Sequence, residues 1–331
     1  MNLARVEPPR GFVAVVSCGG EVRGLSNDAA MQASSQTRRS HARVDVVDAA
    51  DAPAYLAKNR PAVVRLPGAA AWLERWSPEA MEARFGGATI ELEDAVAVYV
   101  GERVRRREGL AQAMRRVRAG DRALRWKGLE FLSRVPAMRV DLEAAPAPHR
   151  ALLPAGSHGL RDTLWVAPAR TMSSLHHDGD FDNFNLQIFG GKEFLLIPPA
   201  YRREVYAYGS AESPVNPFAP DLGRFPLFDG VPTMIAALRP GDTLLVPKYW
   251  WHCVRAAEAS VNLSTHFAWP GAPGAWDVLS GSPLVHRSLT VVAAALKRRG
   301  LHGVARLGRE LWRAGYTRMV PRVTPQPREL E

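Results

Sequence analysis

Between Leu164 and Phe267 the chain is a series of short strand-like runs separated by glycine, proline and aspartate. The runs are Leu164–Val166, Asn183–Ile188, Glu193–Ile197, Met234–Ala237, Thr243–Val246 and Ser260–Phe267. Several short strands with turn residues between them point to a β-sandwich or barrel. The expected fold is therefore mainly β with helices, and the flanks of this segment read differently.

Residues 1–45 look loosely organised. A short apolar run, Phe12–Val16, precedes Gly19, Gly20 and a polar stretch to about Arg43, and much of 24–43 is expected to be mobile. Residues 46–160 read as an α/β part. It holds a strand near Ala62–Leu66 and a helix from Ser77 to about Phe85, with Ser77 as N-cap and Pro78 at the first helical position. Ala88–Leu92 and Ala95–Val100 alternate as strands do, and 107–134 reads as helix. Residues 161–270 form the β-rich core, and 271–331 a helical tail. In the tail Val285, Leu289, Val292 and Leu296 fall at helical spacing, Gly300 breaks the run, and Val304, Leu307 and Leu311 start a second helix. The first stripe is expected to pack on the barrel or against a second subunit.

The 331 residues are 47% hydrophobic and 23% charged, enough apolar material for a sizeable core. Two cysteines, Cys18 and Cys253, exclude a disulfide scaffold and a four-cysteine zinc site. No apolar run approaches the roughly 20 residues that span a bilayer. These features read as a soluble, cytoplasmic protein. The net charge of +10 is concentrated in residues 101–127 and 281–331, and the remainder is mildly acidic. Such patches attract acidic peptides, nucleic acid or anionic surfaces, or are simply solvated helix faces.

Two segments carry chemistry. One reads Leu175-His176-His177-Asp178-Gly179-Asp180, the other Pro240-Gly241-Asp242-Thr243-Leu244-Leu245-Val246-Pro247-Lys248-Tyr249-Trp250-Trp251-His252. Side chains at i and i+2 of an extended segment share a face, so His176 and Asp178 can enter a barrel together. His252, delivered by a distant strand, completes a triangle. Two imidazoles and one carboxylate on one face leave positions open for a bidentate co-substrate and oxygen, as in non-haem Fe(II) oxygenases.

With these residues the chain resembles the JmjC/cupin-like Fe(II)- and 2-oxoglutarate-dependent hydroxylases, including the branch of the asparagine hydroxylase that acts on hypoxia-inducible factor. The likeness covers about Arg60 to Trp269. Among the stretches that carry it are Leu164-Trp165-Val166, His176-x-Asp178, Asn183-Phe184, Gln187-Ile188-x-Gly190-x-Lys192, Leu196-Ile197-Pro198-Pro199, Pro240-Gly241-Asp242 and Trp250-Trp251-His252. The resemblance implies a double-stranded β-helix, or jelly roll, with iron on His176, Asp178 and His252. It also implies co-substrate contacts from Lys192, Ser173 and Asn183, with Lys192 pairing the far carboxylate of 2-oxoglutarate. Trp126 falls roughly where relatives carry a co-substrate tyrosine, a role not transferred to it.

The chain departs from the family pattern in two places. One extra residue between Asp178 and Asn183 opens a second register, His177-Asp178-Gly179, in which glycine replaces the carboxylate and a halide could enter. His266-Phe267-Ala268-Trp269 stands where the family often has Asn-Phe-Trp, so His266 lines the co-substrate pocket or is a packed histidine. Asp180 and Asp182 either recruit a substrate cation or belong to a solvated loop. Trp250, Trp251 and Cys253 read as core.

The expected activity is oxidation of a C–H bond on a peptide, protein or natural-product substrate. A tRNA-modifying hydroxylase and a non-catalytic cupin-like scaffold are the alternatives. Family likeness also implies a homodimer through the C-terminal helices.

Overall fold

The computed structural model describes residues 41–93, 105–121, 129–207, 211–301 and 303–304. The expectations for residues 1–40, for Ala95–Val100, for Trp126 and for a second tail helix beyond residue 304 lie outside these residues.

Two sheets dominate. The first contains β1 (Ala42–Arg43), β8 (Leu175–His176), β10 (Lys192–Ile197), β11 (Glu212–Ser213), β12 (Met234–Leu238) and β14 (Trp251–Ala256), in the order β1-β12-β10-β14-β8-β11. The second contains β2 (Asp45–Val47), β3 (Ala62–Arg65), β6 (Leu129–Glu130), β7 (His158–Ala167), β9 (Asp182–Phe189), β13 (Asp242–Val246) and β15 (Ser260–Ala268), in the order β2-β3-β13-β9-β15-β7-β6. From β8 to β15 the chain passes back and forth between the sheets, which is the winding of a jelly roll. The amino-terminal strands extend this core: β3 pairs with β13 and β1 with β12.

Burial alternates along the strands in an unusual sense. On β9, Phe184, Leu186 and Ile188 belong to apolar clusters shared with flanking helices, while Asn183 and Asn185 line an internal cavity. On β15, Leu263 and Phe267 join those clusters, and Asn262, Ser264 and His266 line the cavity. Successive strand residues face opposite ways, so this polar-inward pattern makes a barrel with a polar interior and an apolar, helix-covered exterior. The helices Pro78–Phe85, Leu110–Arg118 and Pro136–Ala144 supply Met81, Leu110, Met114, Val117, Met138 and Leu142 to that exterior layer. Ser77 caps the first of them, its Oγ accepting from the Ala80 N–H at 3.2 Å.

The continuous helix expected over 107–134 is not formed. β5 (Arg105–Gly109) pairs antiparallel with β4 (Thr89–Glu93), a helix occupies only Leu110–Arg118, and β6 and a short helix, Phe131–Arg134, follow. The pairing places Glu91 opposite Arg107, so complementary charge marks this ribbon where apolar alternation does not. On the helix, Arg115 meets Glu82 at 2.6 Å, Arg116 meets Glu108 at 2.9 Å and Asp121 at 2.8 Å, and Arg118 meets Glu82 at 2.6 Å. These three cations of the first basic patch are thus engaged within the fold.

A Gly190-Gly191 turn carries the chain from β9 in one sheet to β10 in the other. Gly190 has φ +63°, and a Cβ there would overlap the Ala259 carbonyl oxygen. Left-handed backbone and a collision with main chain act together, so Gly190→Ala should destabilise by about 3 kcal/mol or more. Urea denaturation followed by circular dichroism checks this.

Candidate metal centre and its cavity

The register of the two sheets stacks the inward side chains in layers. In the first sheet His252, Val254 and Ala256 of β14 pair with Leu196, Phe194 and Lys192 of β10. In the second, Asn183, Asn185 and Gln187 of β9 pair with His266, Ser264 and Asn262 of β15. His252 and His266 therefore stand at one end of the barrel, Lys192 and Asn262 four residues deeper, and a cavity of about 220 Å³ runs between them.

At the first end, His176 of β8 is the direct cross-strand partner of His252, and their ring centroids are 4.3 Å apart. Asp178 follows two residues later. Ligand atoms of His176, Asp178 and His252 all lie within 4.8 Å of one another. The other ring nitrogens are committed: His176 Nδ1–H donates to the Ser174 carbonyl at 2.8 Å and His252 Nδ1–H to that of Trp250 at 3.1 Å. Both Nε2 lone pairs are thereby left for a ligand, the backing that metal-binding histidines require. Burial, then His176, pushes the His252 pKa down to about 4, so the ring is neutral and able to donate its lone pair. Burial raises the Asp178 pKa, but His252, His266 and His176 outweigh it and hold the carboxylate well below its usual range. Asp178 Oδ2 accepts from Asn183 Nδ2 at 3.0 Å and lies 3.3 Å from His266 Nε2. Two imidazoles with their Nε2 atoms left over and one oriented carboxylate suit a divalent first-row ion such as Fe(II).

His177 does not join this group. Its ring packs edge-on against Trp251 at 4.6 Å, its Nδ1 accepts from the Gly179 N–H at 3.0 Å, and its Nε2 lies 3.0 Å from the Arg202 guanidinium. Burial, then Arg202, lowers its pKa well below the ordinary histidine value. Asp180 and Asp182 serve as struts. Asp182 is buried and accepts from the Lys248 N–H at 3.0 Å and the Trp269 indole at 3.0 Å, and Asp180 accepts from the Tyr249 hydroxyl. They tie the turn carrying Asp178 to the turn preceding His252, so Asp182 is no solvated-loop acid, while Asp180 remains part-exposed with Arg298 3.6 Å away. Cys253 faces away from the centre within an apolar cluster, and Trp250 donates to the Asn59 carbonyl at 2.8 Å.

At the far end Lys192 is buried, with Nζ donating to Asn262 Oδ1. Among the described residues no carboxylate pairs with it, and burial pushes its pKa down to about 7. A buried ammonium without a counter-ion favours an anion in the cavity. Ser173 lines the same cavity, but its hydroxyl donates to the Ser174 carbonyl at 3.0 Å and accepts from the Val254 N–H at 2.9 Å. Asn183 and His266 sit beside Asp178, away from Lys192. Sequence reasoning passed over Asn185, Asn262, Ser264 and Trp165, which also line the cavity. Asparagines placed at alternate positions of apolar strands were the available signal.

A fold of this kind with this group of side chains is the 2-oxoglutarate-oxygenase type of barrel. A family model described as a cupin-like domain matches residues 48–271, more than half of the chain, and the chain belongs to that family. It is similar to HSPB1-associated protein 1 of Rattus norvegicus, 33% identical over 109 residues that make up 31% of this chain and 23% of the relative. It is similar to Lysine-specific demethylase 8 of Xenopus tropicalis, 35% identical over 104 residues, 30% of this chain and 23% of the relative. A third relative is Jumonji C domain-containing protein 5 of Drosophila melanogaster, 29% identical over 140 residues, 41% of this chain and 34% of the relative. The matches thus span about a quarter to a third of the relatives' lengths.

Proposed function

We propose that this chain is an Fe(II)- and 2-oxoglutarate-dependent oxygenase that hydroxylates a C–H bond of a peptide or protein side chain or of a natural product. The observation that carries the reading is one cavity with a two-histidine, one-carboxylate group at one end and, at the other, a buried lysine with no carboxylate partner among the described residues. His176, Asp178 and His252 would hold the metal, and Lys192 the far carboxylate of the co-substrate. Bound there, iron supplies oxygen activation coupled to oxidative decarboxylation of the 2-oxo acid to succinate. The chain's own part is positional. Asn183 and His266 fix Asp178 Oδ2, the Asp180 and Asp182 struts hold the two ligand-bearing turns together, and Trp165, Phe194 and Val254 wall the cavity against water. The relatives' names, among them a lysine-specific demethylase, support a protein substrate.

The test is succinate release from 2-oxoglutarate, with and without Fe(II), in the presence of candidate peptides. Iron-dependent release stimulated by a peptide is expected. A chain that binds neither Fe(II) nor 2-oxoglutarate overturns the reading in favour of a non-catalytic scaffold. Stimulation by tRNA with steeply salt-dependent binding overturns the choice of substrate.

The homodimer rests on the tail. No helix among the described residues is long and apolar enough to cross a membrane. Helix Leu284–Arg298 buries His286, Thr290 and Ala294, while Val285 and Val292 are 61% and 54% exposed. Of the stripe expected to pack on the barrel or against a second subunit, Val285 and Val292 thus face outward while Leu289 and Leu296 are half-buried, and a second copy is the proposed cover. Light scattering at micromolar concentration should give a dimer for the intact chain and a monomer for Val285→Glu/Val292→Glu. A monomeric wild type refutes the assignment.

A further inference from the structure

Among the described residues that line the cavity, Glu212 alone is exposed, and the rest are buried or half-buried. It therefore marks the place where the cavity meets solvent. Its strand, β11, is an edge strand of the first sheet and pairs with β8, where Glu212 stands directly opposite His176. Directly opposed residues of an antiparallel pair share a face, with their Cβ atoms about 5 Å apart. Glu212 thus lies on the face of the His176 ring, one strand outward from the metal group, and it is not one of the three residues whose ligand atoms cluster. Asp178 is committed to that group and held by Asn183. Glu212 is accordingly the carboxylate that the mouth offers to whatever enters. On the other wall Arg161 of β7 stands opposite His266, shares its face by the same rule and is exposed. At the level of the metal group the rim therefore presents an anion beside His176 and a cation beside His266. The cavity is polarised along its length as well, with the Lys192 ammonium at the deep end and the Glu212 carboxylate at the mouth.

We propose that Glu212 is a specificity-determining residue, its carboxylate pairing with a guanidinium or ammonium group on the side chain of the substrate that is oxidised. The proposal rests on the oxygenase reading above and names the chemistry of that substrate. Arg161 repels such a group from the β7 wall, so the cation has one side of the mouth to settle on, and the carbon that precedes it is turned toward the metal group. The polarity of the cavity keeps the two reactants apart: an anion is drawn to Lys192 and a cation is stopped at Glu212. This local rule runs against the positive charge of the whole chain, which by itself favours acidic partners.

The full chain, loaded with equimolar Mn(II) and with 2-oxoglutarate under nitrogen, is titrated with small side-chain analogues. The probes are n-propylguanidinium with its neutral isostere n-propylurea, and n-butylammonium with n-butanol. Mn(II)-induced broadening of the probe proton signals, read against the Zn(II)-loaded chain, reports both binding and nearness to the metal. At least one cation should bind more tightly than its neutral counterpart, and which one it is tells an arginine-like from a lysine-like side chain. Glu212→Gln and Glu212→Ala should weaken that cation about 5- to 15-fold, between the effect of an exposed ion pair and that of a hydrogen bond to a charged group. Both variants should keep the neutral probe, Mn(II) and 2-oxoglutarate within about twofold of wild type. Loss of Mn(II) in both would make Glu212 a structural residue and overturn the proposal. Arg161→Gln should strengthen the cation by less than about threefold, because solvent screens a charge on the opposite wall. An effect equal and opposite to that of Glu212→Gln would mark a general field and count against a contact. If the wild type binds Mn(II) and 2-oxoglutarate but prefers neither cation, this inference alone fails. If it binds neither Mn(II) nor 2-oxoglutarate, the oxygenase reading fails and takes this inference with it.

Discussion

Asp178→Ala should abolish metal binding, whereas His177→Ala should weaken it modestly. Asp178 is the single anionic member of the group, with Oδ2 3.7 Å from His252 Nε2 and held in place by Asn183. In structural Zn(II) sites four ligands share about 10–16 kcal/mol, so losing one ligand costs roughly 3–4 kcal/mol there, and the loss of the only anionic ligand should cost a weaker-binding ion such as Mn(II) its measurable affinity. His177 lies on the opposite face, between Trp251 and Arg202, and reaches the centre only through the backbone of its neighbours. Losses of about 10- to 100-fold are usual for such outer groups. In the alternative register His177 would have to leave its slot against Trp251, and Gly179 would face the metal with no side chain. That register predicts the reverse ranking, a mild His176→Ala and an effect of chloride. Mn(II) titration of the three variants, with and without chloride, decides between them. Retained binding in Asp178→Ala together with loss in His177→Ala would overturn the assignment proposed here.

The grouping of His176 with Asp178 was legible in the sequence because i, i+2 spacing is a geometric statement: once the two are extended, they share a face. The strands were legible because turn residues bracket them, and the Ser77 cap because a hydroxyl before Pro78 satisfies an early helix N–H. What stayed hidden involves partners distant in sequence. The ribbon of β4 and β5 hides because Glu91 and Arg107 stabilise it by charge across strands, while the arginine-rich stretch after it has a helical period. Asp182 looks like a loop acid until Lys248 and Trp269, 66 and 87 residues away, close on it. The tail helix shows why periodicity alone misleads. Its apolar stripe marks a face that needs cover, but the face the fold buries is the small, polar one of His286, Thr290 and Ala294. Asn185 and Asn262 escaped notice for a related reason. Asparagine is depleted in strands, and inward positions are expected to be apolar, so polar residues there gain meaning only once the interior is seen to hold a cavity.

Replacing Lys192 by methionine should do two opposite things. The side chain is buried with no carboxylate beside it among the described residues, and burial lowers its pKa from 10.5 to about 7. A base whose folded pKa is depressed costs stability wherever the unfolded chain carries the proton more readily. The penalty is full below about pH 7, shrinks as the pH rises and vanishes above 10.5. Methionine keeps the length and removes the charge, so metal-free Lys192→Met should melt several degrees above wild type near neutral pH. The gap should narrow toward pH 10. Binding should move the other way. Breaking a buried charge pair by deleting one partner costs about 3–5 kcal/mol, so the affinity for 2-oxoglutarate should fall by roughly two to four orders of magnitude. The wild-type affinity should itself weaken as the pH rises through about 7, because the dicarboxylate requires the protonated amine, and the bound anion lifts the amine's pKa back toward its ordinary value. Lys192→Met should lack that slope. Differential scanning fluorimetry from pH 6 to 10 and calorimetric titration over the same range measure both effects. A variant less stable than wild type, or one that still binds 2-oxoglutarate with the same pH dependence, would place the anion elsewhere in the barrel.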